Sequence, residues 1–527
     1  MGDSNLAQVI RRQSRERPDQ VCFITPTRQW TYAEIDAESN RVAQGLAALG
    51  IGPGDRVACL TKHMAECAFL LFGAVKLGAV CMPVNWRLAA PEIEYIVDHG
   101  QAKLFVVDEE FAATVARVKL PQVLKTLSTE TPAGGVAASG NESFASWRAG
   151  FAAHDPGHEA GLDDTTLQLY SSGTTGLPKG VELTNRGFME VCEMGPPVTG
   201  FRADGVMLNV LPTFHIAGMG NLVMPIWAGG RVVFLPEFVP SQVIRAIEQH
   251  RVTHSFMVPA MILFVIQAPE ARTADFSSLR VISYGGSPIS DTVLVGALKT
   301  LRCGLFQVYG MTEAPLLTQL PPEDHDPDGP KAPLLRSAGK PSPGVQIRIV
   351  RGADGSTAAE GEVGEIWVHT LQNMRGYWRN PQATTDTCPE GKRDGVGWMR
   401  TGDAGYLRDG YLFIHDRIKD MVISGGENIY PAEVENTLSK HLAVLECAII
   451  GVPDDKWGEA VKACVVLKPG SQATEREIIE FMRENMAHYK CPKTVDFLDV
   501  LPRNPTGKLL KRVLREPYWV GRDRAVS

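Results

Sequence analysis

From Trp30 to Gly50 apolar residues recur at helical spacing, with Ile35, Val42, Leu46 and Leu49 on one face. Thr31 and Glu34 stand at capping-box spacing, and Trp30 and Ile35 can staple across the cap, so the pattern predicts a helix start here. Elsewhere the period changes. The runs LNVLP, RVVFLP and VISYGG are each stopped by Pro or Gly and predict buried strands. The most apolar run, AFLLFGAV at Ala68–Val75, is closed by Lys76 and falls far short of the roughly 20 residues of a membrane span. It predicts a buried helix. Helices alternating with buried strands predict an α/β sheet architecture. No internal repeat is evident, and the Ala/Gly/Ser-rich stretch 128–164 predicts a long surface connection with some local helix.

The pattern changes style late in the chain. From Ser337 to His415 the short runs VQIRIV, GEIWV and GYLFI alternate with Gly-containing turns, predicting a small β unit that ends a large domain. After DRIKD, Tyr430 and Pro431 open a helix carrying Val434 and Leu438, followed by CAIIGVP, KACVVLKP and a further helix near Glu475–Met486. The reading is a large N-terminal domain of α/β sheet subdomains over 1–417 and a small α+β domain over 418–527.

Composition narrows the classes. A chain of 527 residues is too long for one ordinary core, and 44% hydrophobic with 21% charged residues is a globular balance. A formal net charge of −7 gives no global attraction to nucleic acid, so any phosphate must be held locally. The ten cysteines form no CxxC pair and no Cys/His cluster, which argues against a zinc site or a disulfide framework and for a reducing, cytoplasmic compartment. The amino terminus has no apolar leader and fails the myristoylation pattern at Leu6, and the terminal RAVS is no peroxisomal address.

The chemistry concentrates in YSSGTTGLPKG, Tyr170–Gly180. Glycines let successive N–H groups turn toward one anion, while hydroxyls and a lysine add donors and charge. This composition makes a phosphate cradle. It is not a Walker loop: Pro178 stands where the second Walker glycine belongs, and Gly180 replaces the magnesium-binding hydroxyl.

The loop resembles the signature of the adenylate-forming superfamily, which holds acyl- and aryl-CoA synthetases, nonribosomal adenylation domains and beetle luciferases. The resemblance continues in order through LPTFHIAG, SYGGSPIS, QVYGMTEA, GWMRTGDAGYL, DRIKDMVISGGENIYPAEVE and PRNPTGK. It implies that Ser171, Ser172, Gly173, Thr174, Thr175, Gly176 and Lys179 embrace the outer phosphates of ATP, that Thr312 touches the α-phosphate, and that Glu313 and Thr174 serve Mg2+. Lys508 would bridge the substrate carboxylate and the α-phosphate as a charge clamp. Asp403, helped by Arg417, would hold the ribose, with Tyr309 against adenine and Gly285 and Gly286 at the base edge. His215 would sit by the acyl pocket with no general-base duty, because the acid is already ionised near neutrality. The resemblance also implies a mobile small domain that rotates about Lys419, with Ser424, Gly425 and Gly426 lining a coenzyme A tunnel.

The resemblance therefore implies an ATP-dependent acid:CoA ligase working through acyl-AMP. Gly310 stands where acetate-type relatives carry a tryptophan that plugs the pocket, which argues against acetate. Met311, Met219, Leu316, Leu317, Val210 and the run Phe256–Pro259 are candidate apolar lining. The overall look is closest to bacterial medium- and long-chain fatty-acyl-CoA ligases; aryl or arylpropenoic acid ligases, and a stand-alone enzyme loading a carrier protein, share the frame. A nucleotide sensor without turnover would lack Lys508, Glu313 or the loop, and all are present. Luciferase activity is not implied, since only the adenylation motifs are shared. Expected partners are the acid, ATP and CoA, with no nucleic acid and no transmembrane segment. A long-chain acid is compatible with peripheral membrane contact, although no basic amphipathic helix stands out. The motifs do not distinguish a monomer from a dimer.

Overall fold

The structure is a computed structural model that describes residues 4–129, 139–171, 177–287, 289–352, 355–393, 395–417, 420–424, 427–503 and 509–520. Among these residues, the three predicted buried strands, Val206–Asn209, Arg231–Phe234 and Val281–Gly285, fall in one nine-stranded sheet. Its centre is parallel: Val21–Ile24, Arg231–Phe234, Val206–Asn209, His254–Met257, Val281–Gly285 and Gly304–Met311 lie side by side in that order. Strands buried on both faces need apolar residues at every position, which explains the unbroken runs.

A second, eight-stranded sheet runs from Gly376–Tyr377 through Lys179–Thr184, Thr165–Ser171, Val80–Pro83, Arg56–Leu60 and Ala102–Asp108 to Lys125–Thr129 and Glu142–Ser143. The predicted first helix is Tyr32–Ala48, with Thr31 and Glu34 closing the expected capping box. The apolar run folds as the buried helix Met64–Val75. Lys76, which ends it, does not reach solvent: fully buried, it donates to Asp36 Oδ1 and Asn40 Oδ1 at 2.6 Å each. Burial holds the ammonium below its usual pKa even though Asp36 pulls the other way.

The stretch predicted as a surface connection with some local helix is largely exposed over 149–164 and holds one helix, Phe144–Ala149, which buries Phe144 and Trp147. Arg11 forks onto Asp155 with two contacts of 2.8 Å, and Arg41 donates to the Phe151 carbonyl at 2.6 Å. Small residues hid two aromatic anchors.

The predicted β unit is a four-stranded antiparallel sheet, Gln346–Val350, Gly364–His369, Met399–Arg408 and Tyr411–Arg417. It sends one short strand, Gly376–Tyr377, across to pair with Lys179–Thr184 of the eight-stranded sheet. The smaller C-terminal domain has its own apolar core around Val434, Leu438, Ile449, Val465 and Ile478. Its hairpin Val444–Asp454 with Gly458–Leu467 is flanked by Val422–Ser424 and Thr494–Phe497, and Pro431 opens the predicted helix Pro431–Leu438. Among the described residues, no helix is long and apolar enough to cross a membrane.

Candidate active site

Ser171 ends one strand and Lys179 begins the next, and the two residues pair directly in antiparallel register. The glycine-rich run therefore falls between two strands paired in antiparallel register. A Walker loop leads into a helix; here the helix Asn185–Thr199 starts only after the return strand, capped by Thr184, whose Oγ1 accepts from Gly187 N at 3.3 Å. Ser172, Gly173, Thr174, Thr175 and Gly176, at the loop itself, lie outside the described residues.

The nine-stranded sheet supplies the facing groups. Met311 pairs with Ala314, leaving Thr312 and Glu313 as the tip of a tight hairpin. Glu313 is buried, and its Oε1 accepts from the Tyr377 hydroxyl at 2.9 Å and from Ser171 Oγ at 3.5 Å. Tyr377 also lies under Lys179, whose Nζ is 4.9 Å from the ring centroid. Burial, then the neighbouring Glu313 carboxylate, push the Tyr377 phenol well above its ordinary pKa, so it remains a donor. Sequence reasoning missed Tyr377. Only the pairing of Tyr377 with Val181 brings it here, and no motif in GYW announces that pairing.

The third sheet contributes Asp403, which accepts a hydrogen bond from the Tyr309 hydroxyl at 2.7 Å. Asp403 stands opposite Arg417 in strand register, and the Arg417 side chain lies outside the described residues. The Asp403 amide donates to Thr401 Oγ1 at 3.1 Å within the strand Met399–Arg408.

His215 caps the helix Ile216–Trp227 by position, without a side-chain capping bond. Its Nε2 is buried and makes no hydrogen bond to a described residue. Burial, then the charge of Arg87, lower its pKa to about 3, so the ring is neutral at pH 7.

Two glycines are set by close backbone approach. A Cβ on Gly310 would lie 2.0 Å from the Pro315 carbonyl oxygen, and one on Gly285 would lie 2.2 Å from that of Val308. Gly310 is thus required by its own hairpin, and its presence does not by itself report the size of the acid. Gly286 has φ +79°, the left-handed region that glycine enters without strain.

Ser171, Lys179, His215, Gly286, Tyr309, Gly310, Met311, Thr312, Glu313 and Asp403 all border one cleft of about 2220 Å³. Ala432, Glu433 and Asn436, from the helix Pro431–Leu438, form part of its wall. Leu316, Phe256, Val258 and Pro259 line it as expected. Met219, Val210 and Leu317 do not: they are packed in the apolar cores behind the wall. Ser424 pairs with Glu427 in a tight hairpin of the small domain. Gly425, Gly426, Lys419 and Lys508 lie outside the described residues.

A parallel-sheet domain that meets a glycine-rich hairpin, a buried carboxylate and an aromatic–acid pair at one cleft is the frame of a nucleotide-dependent enzyme. The chain belongs to the AMP-binding enzyme family, whose main domain matches residues 10–378 and whose C-terminal domain matches 433–508. It is 39% identical to the fatty acid–[acyl-carrier-protein] ligase ScoC of Streptomyces coeruleorubidus, over 99% of this chain and 98% of that protein. It is also 39% identical to feruloyl-CoA synthase of an Amycolatopsis species, over 93% and 94% of the two chains. Among solved structures, ATP-bound MatB from Rhodopseudomonas palustris superposes with a TM-score of 0.86 at 30% identity, covering 98% and 99% of the chains. A Mycobacterium tuberculosis fatty acyl CoA synthetase gives 0.76 at 34% identity, covering 99% of each.

Proposed function

We propose that this enzyme is an acid:CoA ligase that first joins a carboxylate to AMP, releasing pyrophosphate, and then transfers the acyl group to the thiol of coenzyme A. The observation that carries this reading is the meeting of Ser171, Lys179, Tyr377 and Glu313 from two sheets at the mouth of a cleft that also holds Tyr309–Asp403. Bringing an anionic carboxylate to an anionic phosphate is opposed by repulsion, and fixed donors and cations offset it.

In this reading the 171–179 hairpin holds the outer phosphates of ATP, Thr312 contacts the α-phosphate, and Lys508 clamps the two reacting anions. Asp403 and Arg417 take the ribose, while Tyr309, Gly285 and Gly286 border the base. Glu313 fits Mg2+: it offers a single hard carboxylate, oriented by the Tyr377 hydroxyl, and Mg2+ characteristically completes its shell with phosphate and water oxygens. The ion supplies charge neutralisation of the phosphates. A boundary after Arg417, with Lys419 as a hinge, would let the small domain present Lys508 first and the Ser424–Gly426 loop to CoA second. The substrates are those of cytoplasmic metabolism.

The apolar wall formed by Phe188, Val191, Ile216 and Met224 favours an acid with a sizeable apolar body, foremost a medium- or long-chain fatty acid. The likeness to feruloyl-CoA synthase supports an aryl or arylpropenoic acid as the second reading, and that to ScoC a carrier-protein acceptor. The test is mass spectrometry after incubating the protein with ATP, Mg2+, CoA and a mixed panel of fatty, aryl and arylpropenoic acids. Acyl-CoA formation that vanishes in Lys508→Ala is expected. Acyl-AMP without thioester would move the acceptor to a carrier protein, and absence of any acid-dependent AMP would overturn the reading.

A further inference from the structure

The helix Ala90–His99 ends against both margins of the glycine-rich run. Tyr95 and His99 stand one turn apart on one face of it, and their rings stack with centroids 5.3 Å apart and 20° between the planes. On the exit side of the run, the Tyr95 hydroxyl donates to the Pro178 carbonyl at 3.2 Å. That carbonyl belongs to the peptide group whose nitrogen is the Lys179 amide. On the entry side, His99 Nδ1 lies 2.8 Å from the Tyr170 hydroxyl, which also accepts from Gln168 Nε2 at 3.2 Å. Burial pushes the Tyr170 phenol well above its ordinary pKa, and burial, then the Arg379 charge, lower that of His99. A protonated phenol facing a neutral imidazole makes Tyr170 the donor and Nδ1 the acceptor. The helix backbone is held as well: Trp378 Nε1 donates to the His99 carbonyl at 3.0 Å, while the Trp378 amide donates to the Gly180 carbonyl at 2.7 Å.

We propose that Tyr95 is a positioning residue for Lys179: its hydroxyl holds the peptide group from which the lysine leaves the strand, and so fixes where the ammonium can reach. This rests on the function proposed above, in which Lys179 faces the outer phosphates of ATP. The proline ring already restricts φ at residue 178, so rotation of the 178–179 peptide is left to ψ, and a hydrogen bond on the carbonyl stops that rotation. The stacked His99 ring, itself tied to Tyr170, limits the freedom of Tyr95 in turn. A lysine side chain is long and flexible, and anchoring its base reduces the conformational freedom given up when the ammonium settles on a phosphate. Its Nζ already lies 4.9 Å from the Tyr377 ring centroid, beside the Glu313 carboxylate that Tyr377 orients. In this role Tyr95 acts through Lys179 rather than on the nucleotide.

Titration calorimetry with ATP and with AMP, each in the presence of Mg2+, separates positioning from a merely structural role, because AMP has no outer phosphates. Tyr95→Phe keeps the stacked ring and removes only the hydroxyl. It is expected to raise the Kd for ATP roughly fivefold, the effect of one neutral hydrogen bond, and to leave the Kd for AMP unchanged. Made on top of Lys179→Ala, the same change is expected to leave the Kd for ATP where Lys179→Ala alone puts it, since a residue acting through Lys179 then has nothing to position. Each comparison is made between two ligands or two backgrounds, so a general loss of folded protein does not imitate the expected pattern. A Kd for ATP unchanged by Tyr95→Phe, an equal rise for AMP, or a rise that persists on the Lys179→Ala background overturns the role of Tyr95 while leaving the ligase reading intact. Wild-type protein that binds neither nucleotide would instead overturn the proposed function, and the positioning of Lys179 with it.

Discussion

The hydroxyl of Tyr309 donates to Asp403 Oδ2 at 2.7 Å, tying the nine-stranded sheet to the four-stranded one across the cleft. A hydrogen bond to a charged group contributes about 1.5–3 kcal/mol. Tyr309→Phe is therefore expected to raise the KM for ATP by roughly tenfold, and Asp403→Asn by more, in initial-rate measurements at saturating acid. An unchanged KM in both would remove the pair from the nucleotide site.

Tyr377 donates to Glu313, the carboxylate proposed to hold Mg2+. Loss of an outer partner of a metal-binding carboxylate typically costs 10–100-fold in metal affinity, so Tyr377→Phe should shift the Mg2+ dependence of pyrophosphate release upward by roughly that factor. The same Mg2+ curve for variant and wild type would argue that Glu313 does not hold the ion.

Backbone crowding predicts opposite signs for two glycines. Gly310→Ala drives a Cβ to 2.0 Å from the Pro315 oxygen, whereas Gly220→Ala meets only Met224 Cε at 3.5 Å. Urea unfolding should show Gly310→Ala losing about 1–3 kcal/mol or more and Gly220→Ala gaining up to about 1 kcal/mol from helix propensity. Equal midpoints would show that the 310 hairpin can open to admit a side chain.

Two buried histidines predict acid sensitivity. Burial lowers His215 to about 3 and His254 to about 4, both below the ordinary value near 6.5. Between those values and 6.5 the unfolded chain binds more protons than the folded one, so the contribution to stability is complete above about pH 6.5 and is lost progressively as pH falls. Urea midpoints at pH 7.5 and 5 should differ, and His215→Leu should narrow the difference. A slope unaltered by that change would assign the acid sensitivity elsewhere.

Much of the fold was legible because its signals are local. The capping box at Thr31 and Glu34, the unbroken apolar strands and Pro431 at a helix start each depend on a few neighbouring residues, and each appears where the pattern placed it. The two aromatic anchors inside the expected surface connection were not legible for the converse reason: Phe144 and Trp147 find their burial against elements distant in sequence. The pocket lining divided similarly. Met311 and Leu316 face the cleft, whereas Met219 and Leu317 are core, and apolar character alone does not tell a wall from the packing behind it.

By itself, then, the sequence determined the family, through an ordered series of motifs along the chain, and the α/β class, through apolar runs whose period is set by neighbouring residues. Tertiary structure alone decided that Tyr377 reaches Glu313 from another sheet and that Lys76 is buried against Asp36. These are pairings between segments far apart in the chain. They are selected by how sheets and helices pack, and no short stretch of residues encodes them.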